Sequence, residues 1–376
     1  MAKYSFTLLL LFCLTFSSCQ TIEQIPIEYM MPAEINFPPE LRRVAIVNNT
    51  SSVPDNKWIE SDRSRKDDEI ARAVAYNNGD AKIAAESLAE AIANENYFDE
   101  VIICDSALRA NDKFAREETL TKEEVKELTE NLDVDFLISL ENLQLKATKT
   151  IRYIPDWSCY YGSVDVKVYP TLRIYIPKRK NPMLTIAPND SIFWEEFGNT
   201  SSYVQTHLIK DSQIQQEASE FAGTIPVKHL LPYWTSATRN LYNNGSVNMR
   251  DAAVYVRENS WDKAFKLWEQ SFNTAKSDKK KMQSAYNIAV YYEIKDELEQ
   301  AETWALKAQE LAHKIDKIDQ RNKDNVDISE IPNYVMTSLY VVELQKRTAG
   351  LSSLNMQMNR FNDDFRSEEH TSELQS

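Results

Sequence analysis

Three kinds of pattern run along this chain, and each marks a different kind of element. Arg43-Val-Ala-Ile-Val47 is a short β-branched run ended by Asn48-Asn49-Thr50, the pattern of a buried strand. From Asp80 to Asn94 the apolar residues Ile83, Ala84, Leu88, Ala91 and Ile92 recur at helical spacing behind the start signal Gly79-Asp80. Asn94-Glu-Asn-Tyr-Phe98 breaks that helix, and Val101-Ile-Ile-Cys104 reads as a second buried strand. Thr121-Lys-Glu-Glu124 sets a hydroxyl and a carboxylate three residues apart, so that each satisfies an orphan amide at the start of a helix running to Asn131. Phe136 to Leu145 follows as a strand. Strand, helix, strand, helix, strand predicts an α/β layer whose sheet is at least partly parallel.

Residues 151–205 switch to a period of two. Val164-Asp-Val-Lys-Val-Tyr169 and Leu172-Arg-Ile-Tyr-Ile176 alternate, and Phe193, Trp194 and Phe197 continue the pattern, which predicts antiparallel strands. Aromatics in strands serve most often as cross-strand core pairs; the alternative for Tyr153, Trp157, Tyr160 and Tyr161 is a platform of rings for stacking on sugars. Lys178-Arg179-Lys180, between Pro177 and Pro182, reads as a solvated hairpin tip. Ser212 to Tyr242 reads as one or two helices broken near Pro226 and Pro232, a connection to the last region.

The stretch from Arg43 to Val47, then Leu88-Ala-Glu-Ala-Ile-Ala-Asn-Glu-Asn-Tyr-Phe98 before Val101 to Ile103, then Val134 to Ser139, resembles the α/β domain of the TolB amino-terminal region and of the lipoproteins of curli and exopolysaccharide secretion. That resemblance covers about residues 41–145 and implies a fold without catalytic residues. Beyond residue 246, Ala252, Tyr255, Trp261, Ala264 and Trp268 are followed by Ala285, Ile288, Ala289, Tyr292, Leu298, Ala301, Trp304 and Ala308, the spacing of paired helices. Ala264 and Ala301 stand 37 residues apart, close to the period of about 34 of the tetratricopeptide repeat, which the second copy resembles. Ala264, Ala289, Tyr292, Ala301 and Ala308 are the packing positions that resemblance implies. Asp251 and Ser271 depart from it in the first copy, and a helix from Tyr334 to Lys346 is expected to cap the array.

The two ends are of a different nature. Lys3 precedes an apolar run from Phe6 to Phe16, closed by Ser17-Ser18-Cys19, which is a signal-peptide pattern too short for a permanent transmembrane helix. It resembles the bacterial lipobox, which implies acylation of Cys19, a membrane anchor in the cell envelope, and a signal over residues 1–18. The chain as a whole resembles an uncharacterised family of Bacteroidota-type outer-membrane lipoproteins. Residues 19–40 hold Pro26, Pro32, Pro38 and Pro39 and read as a tether. Residues 366–376 resemble the in-frame translation of a sequencing adapter and are expected to be foreign to the natural chain, so His370 enters no site argument.

Between the ends lie about 345 residues, enough for two domains. The net charge of −14 argues against nucleic acid as a partner in the absence of a strong local basic patch. Six glycines provide little material for phosphate-cradling loops, and no nucleophile-elbow, Walker or dinucleotide motif occurs. Glu195 and Glu196 are neighbours in a predicted strand and point to opposite faces. His207, His229 and His313 are isolated, and no cysteine or histidine pair has metal-ligand spacing, so no metal or cofactor is expected. Cys104 and Cys159 are expected to be unpaired, with a disulfide as the alternative. Asp105-Ser106-Ala107 and Asp190-Ser191-Ile192 resemble short O-glycosylation acceptors.

The expectation is an α+β protein. An α/β domain with an antiparallel extension spans residues 41–210, connecting helices span 211–245, and a tetratricopeptide-like all-α domain spans 246–348. Its expected role is that of a lipid-anchored, non-catalytic envelope component that binds or assembles a protein partner through the helical repeat. The alternatives are glycan binding through residues 153–161 and, third, a hydrolase without recognisable motifs.

Overall fold

A computed structural model of the chain describes residues 22–51, 59–60, 69–104, 106–112, 119–321 and 327–373. Strands β1 (Ile22–Met31), β2 (Arg43–Asn48), β3 (Ile59–Glu60) and β4 (Glu69–Asn78) come first, then helix α1 (Ala81–Asn94), β5 (Glu100–Ile103) and α2 (Lys122–Leu132). The longest strands, β6 (Phe136–Ile154) and β7 (Cys159–Tyr175), precede β8 (Leu184–Ile186), β9 (Asp190–Gly198), α3 (Ser201–His207), α4 (Asp211–Thr224), α5 (Val227–Leu230) and β10 (Tyr233–Tyr242). Helices α6 (Val247–Arg257), α7 (Trp261–Thr274), α8 (Asp278–Ile294), α9 (Leu298–Ile315) and α10 (Pro332–Glu373) complete the chain. The fold is α+β, a mixed-sheet α/β region followed by a helical one. Its compact units are Ala33–Pro232 with Met356–Ser376, and Met1–Pro32 with Tyr233–Asn355.

In the α/β unit the β6–β7 hairpin organises the sheet. One edge of β6 pairs with β7 from Leu137 to Ile154; the other takes β2 in parallel at Phe136 to Leu140, and then β4 antiparallel from Gln144 to Arg152. Strand β5 adds in parallel to β2, as the strand and helix order predicts. Strand β7 carries β9 along its first half and β8 near its end, and Lys178 to Lys180 lie in the turn between β7 and β8. Helix α1 starts where Asp80 accepts from the amides of Lys82 and Ile83, and α2 carries the reciprocal Thr121–Glu124 capping box. Helix α4 lies so close to α1 that a Cβ on Gly223 would stand 2.5 Å from the Ala84 carbonyl oxygen. The core between helices and sheet contains Ile46, Leu88, Ile92, Phe136, Val166 and Leu172.

Where β2 ends, the β6–β7 register slips between Leu140 and Asn142. This bulge re-aims Glu141, whose side chain is 7% exposed. It accepts from Asn49 Nδ2 at 2.8 Å, the Tyr175 hydroxyl at 3.0 Å and Arg173 Nη1 at 3.4 Å. Burial pushes the Glu141 carboxyl above its ordinary range and the Tyr175 phenol, which also faces the Glu141 charge, to about 12. Cys104 and Cys159 are both free thiols.

The helical unit corrects two expectations. Residues 22–31 form no tether but a strand, paired antiparallel along its whole length with β10, from Ile22 opposite Tyr242 to Met31 opposite Tyr233. Residues 233–242, expected within connecting helices, are that partner strand. The period of two was present: Ile25, Ile27 and Tyr29 join the apolar core while Gln24, Pro26 and Glu28 are exposed. Proline is tolerated in a strand that is paired on one edge only.

Helices α6 to α9 pack each on the next across short turns. Ala264, Ala289, Ala301 and Ala308 have no exposed surface, and Tyr292 is partly buried against the same core. Asp251 is exposed, and Ser271 is buried because its hydroxyl accepts from Ser284 Oγ at 3.0 Å. Helix α10 supplies Tyr340, Val341 and Leu344 to this core and runs past the expected end at Lys346 to Glu373. Cys19 and Asp105 lie outside the described residues, as do the side chains of residues 362–376.

Candidate binding groove

Glu293 stands in the last turn of α8 with no exposed side-chain surface. Both features are unfavourable for a carboxylate, since a helix C-terminus carries partial negative charge and burial strips away hydration. Strand alternation brings Arg239 of β10 inward beside Leu241, and the seven-residue spacing of Tyr340 and Arg347 puts both on one stripe of α10. Arg239 grips the carboxylate bidentately, Nε to Oε2 at 2.8 Å and Nη2 to Oε1 at 2.9 Å. Arg347 Nη1 donates at 2.6 Å and the Tyr340 hydroxyl at 2.8 Å. Burial, with the Glu293 charge beside it, pushes the Tyr340 phenol well above its ordinary value.

Each guanidinium also has an outer carboxylate. Arg239 pairs with Glu343, and Arg347 Nη2 reaches Asp296 at 3.3 Å. Arg347 lies 4.0 Å from the ring centre of Tyr29 on β1, and Arg239 5.1 Å from that of Tyr340. Two cations and three anions thus join β1, β10, α8 and α10, with one negative charge in excess. Asp296 is 76% exposed in a left-handed turn, with φ of 60°, between α8 and α9.

Above this cluster lies a groove of about 490 Å³. Its lining includes six consecutive residues, Ile25 to Met30. Side chains of a strand alternate between faces, so an unbroken run of lining residues means that the groove follows the edge of β1. The opposite edge is the one paired with β10. Among the described residues, the backbone hydrogen bonds of β1 are those of its ladder with β10. The far wall is apolar, built from Trp261, Leu298, Leu351 and Leu354, and Trp234 stands at the mouth 66% exposed. Of the charged lining residues, Glu28 and Asp296 are exposed, whereas Glu293 and Arg347 are buried against each other.

A second cavity, of about 440 Å³, follows β10 at Thr238, Arg239 and Asn240. Just beyond it, Asn287 accepts from the Tyr242 amide at 2.9 Å and donates to the Tyr242 carbonyl at 2.7 Å. That pair closes the end of the β10 edge with a side chain, whereas β1 has no such partner among the described residues.

None of the five expected repeat-packing residues lines the groove; they hold the helices together behind it. Trp261 and Leu298 do line it, and they occupy equivalent places, 37 residues apart, at the starts of α7 and α9. The four aromatics of residues 153–161 are not core pairs, and they divide between two faces. Tyr153 packs on Tyr160 with ring centres 5.1 Å apart, while Trp157 and Tyr161 each approach Phe197, at 5.9 and 4.9 Å. His207 stacks on Tyr203, and His229 and His313 pair with Glu34 and Asp319. Among the described residues no group of three potential ligand side chains stands together, and no helix is long and apolar enough to cross a membrane. Sequence reasoning missed Glu293, Arg239 and Arg347, whose signal was one charge on the apolar side of each of three elements.

Residues 41–242 match the family model of a domain of unknown function, DUF8603, and residues 250–346 that of a second domain of unknown function, DUF6340. No curated protein and no solved structure matches the chain.

The Glu293 cluster predicts an asymmetric response to substitution. Glu293→Ala removes the buried partner of both guanidinium groups, leaving each only its outer carboxylate, and is expected to cost the helical unit about 3–5 kcal/mol. Replacing Glu293, Arg239 and Arg347 together by leucine and methionine is expected to restore most of it. Denaturant unfolding followed by tryptophan fluorescence reads both, and an unchanged midpoint for Glu293→Ala would contradict the role given to the cluster.

Proposed function

The chain belongs to the DUF8603 family, and we propose that it is a lipid-anchored envelope protein whose helical unit binds an extended segment of a protein partner. The open edge of β1 along an apolar, acidic groove carries the reading. A strand edge presents a row of backbone donors and acceptors, here lacking the N–H of Pro26, and an incoming extended segment satisfies the others while its alternate side chains enter pockets on either side. The acidic excess of the groove favours a segment in which apolar residues alternate with basic ones. No catalytic step forms part of this proposal.

Several sequence features support the wider setting. The lipobox-like Ser17-Ser18-Cys19, together with the likeness of the whole chain to Bacteroidota-type outer-membrane lipoproteins, supports anchoring through acylated Cys19. The helix pairs, with their 37-residue spacing and alanines at close approaches, are in keeping with a short tetratricopeptide-like array serving as a binding scaffold. The likeness of residues 41–145 to the TolB amino-terminal and curli-secretion domains is in keeping with an envelope role. Because β1 begins at Ile22, the stretch from Cys19 spans at most about 11 Å when fully extended. An anchored β1 therefore starts close to the bilayer surface.

Two experiments test this reading. A decapeptide of alternating valine and lysine is expected to bind the purified protein and shift the emission of Trp234, whereas a valine–glutamate peptide is not. Asp296→Lys is expected to weaken the binding about tenfold, or about 1.4 kcal/mol, and Leu354→Trp to block it. Failure of the basic peptide to bind, or binding indifferent to both variants, would contradict the groove assignment. For the anchor, Cys19→Ala is expected to move the protein from the membrane to the soluble fraction, and membrane retention of the variant would contradict it.

A further inference from the structure

The sheet of the α/β unit has two unlike faces. Val164, Val166 and Val168 of β7 point to the core with no exposed surface. Their neighbours Tyr161, Ser163, Asp165, Lys167 and Tyr169 point the other way, and cross-strand register places Arg152, Thr150, Thr148, Lys146 and Gln144 of β6 beside them. On the far side of β7, Phe197, Glu195 and Phe193 of β9 lie opposite Tyr161, Ser163 and Asp165. This outer face is rich in rings that a core would have hidden. Trp157 is 67% exposed, Phe193 64% and Phe197 41%.

The rings are held in place. Phe197 contacts both Trp157 and Tyr161; Arg152 lies 4.9 Å above Tyr161, and the Tyr161 hydroxyl donates to Glu195 Oε2 at 3.2 Å. Next along the face, Lys146 and Lys167 stand directly opposite each other across two strands. Like charges in that position repel, and among the described residues neither lysine forms an ion pair. Across β6, β7 and β9, Lys146, Lys167 and Arg152 outnumber Asp165 and Glu195 in a chain of net charge −14. Screening limits the rest of the chain to about 8 Å of influence at physiological salt, so the local sign governs what docks here. From Tyr161 to Tyr169 the face runs about 27 Å along β7, long enough for several linked sugars.

We propose that this face binds a carboxylate-bearing polysaccharide. Trp157, Phe197 and Tyr161 stack on the apolar faces of the sugars, Lys146, Lys167 and Arg152 meet the carboxylates, and Glu195 and Asp165 accept from hydroxyl groups. The occupant is a chain of sugars and not a lipid surface, because the two acidic residues and the hydroxyls of Thr148, Thr150 and Ser163 lie among the rings, where a bilayer would have to dehydrate them.

Affinity electrophoresis of the full chain through gels containing polygalacturonate, dextran or no polymer tests the proposal. Polygalacturonate is expected to retard the protein, with dextran doing so weakly. The double variant Trp157→Ala/Phe197→Ala is expected to lose at least tenfold in affinity for polygalacturonate, and Lys146→Gln/Lys167→Gln to lose several-fold. All four side chains lie on the outer face, so circular dichroism melts are expected to match those of the parent. No retardation, retardation unchanged by the ring variant, or tighter binding to vesicles of anionic phospholipid than to polygalacturonate would each overturn the proposal.

Discussion

A fully buried carboxylate holds the helical unit together. Dehydrating Glu293 costs several kcal/mol, and the cost is met only because Arg239, Arg347 and Tyr340 deliver four hydrogen bonds to its two oxygens. Those donors come from β10 and α10, and Arg347 extends the linkage to β1 by lying over Tyr29. The ribbon of β1 and β10 has only two strands, and such a ribbon is marginal without a surface to pack on. Its position is set by the packing of Ile27, Leu241 and Tyr242 in the apolar core together with this carboxylate, and so is the groove, which has β1 as one wall and Glu293 in its lining.

The α/β unit solves a related problem with two long strands and a smaller polar cluster. Strands β6 and β7 are long enough to serve two neighbours each, β2 then β4 on one side and β9 then β8 on the other. At the changeover on β6 the bulge turns Glu141 into a polar cluster with Asn49, Arg173 and Tyr175. The same long hairpin carries strand residues past the cover of the helices, which is how its outer face comes to bear exposed rings.

Much of this architecture was legible in the sequence because it rests on local signals. The capping box at Thr121, the N-cap at Asp80, the buried run of β2 and the strand β5, which proves only half-buried, are decided within a few residues, as are the alanines of α7 to α9. The ribbon was not, for a physical reason. Four prolines in residues 19–40 signal an extended, unpaired chain, and the partner that pairs residues 22–31 lies about 200 residues away, where Pro226 and Pro232 suggest a broken helix. Glu293 was equally hidden, since a glutamate near a helix end looks solvated until Arg239 and Arg347 arrive from other elements. The aromatics of residues 153–161 were legible as strand residues, but their division between two faces depends on register.

The central claim is that β1 presents an open, bindable edge held in place by the Glu293 cluster. Residue-resolved hydrogen exchange of the β1 amides, with and without the alternating valine–lysine peptide, tests it most directly. In the free protein the amides bonded to β10 are expected to be protected and the groove-facing amides between them to exchange rapidly; saturating peptide should slow the latter. Uniform protection of β1 in the free protein, or groove-facing amides that stay fast with the peptide bound, would contradict the account.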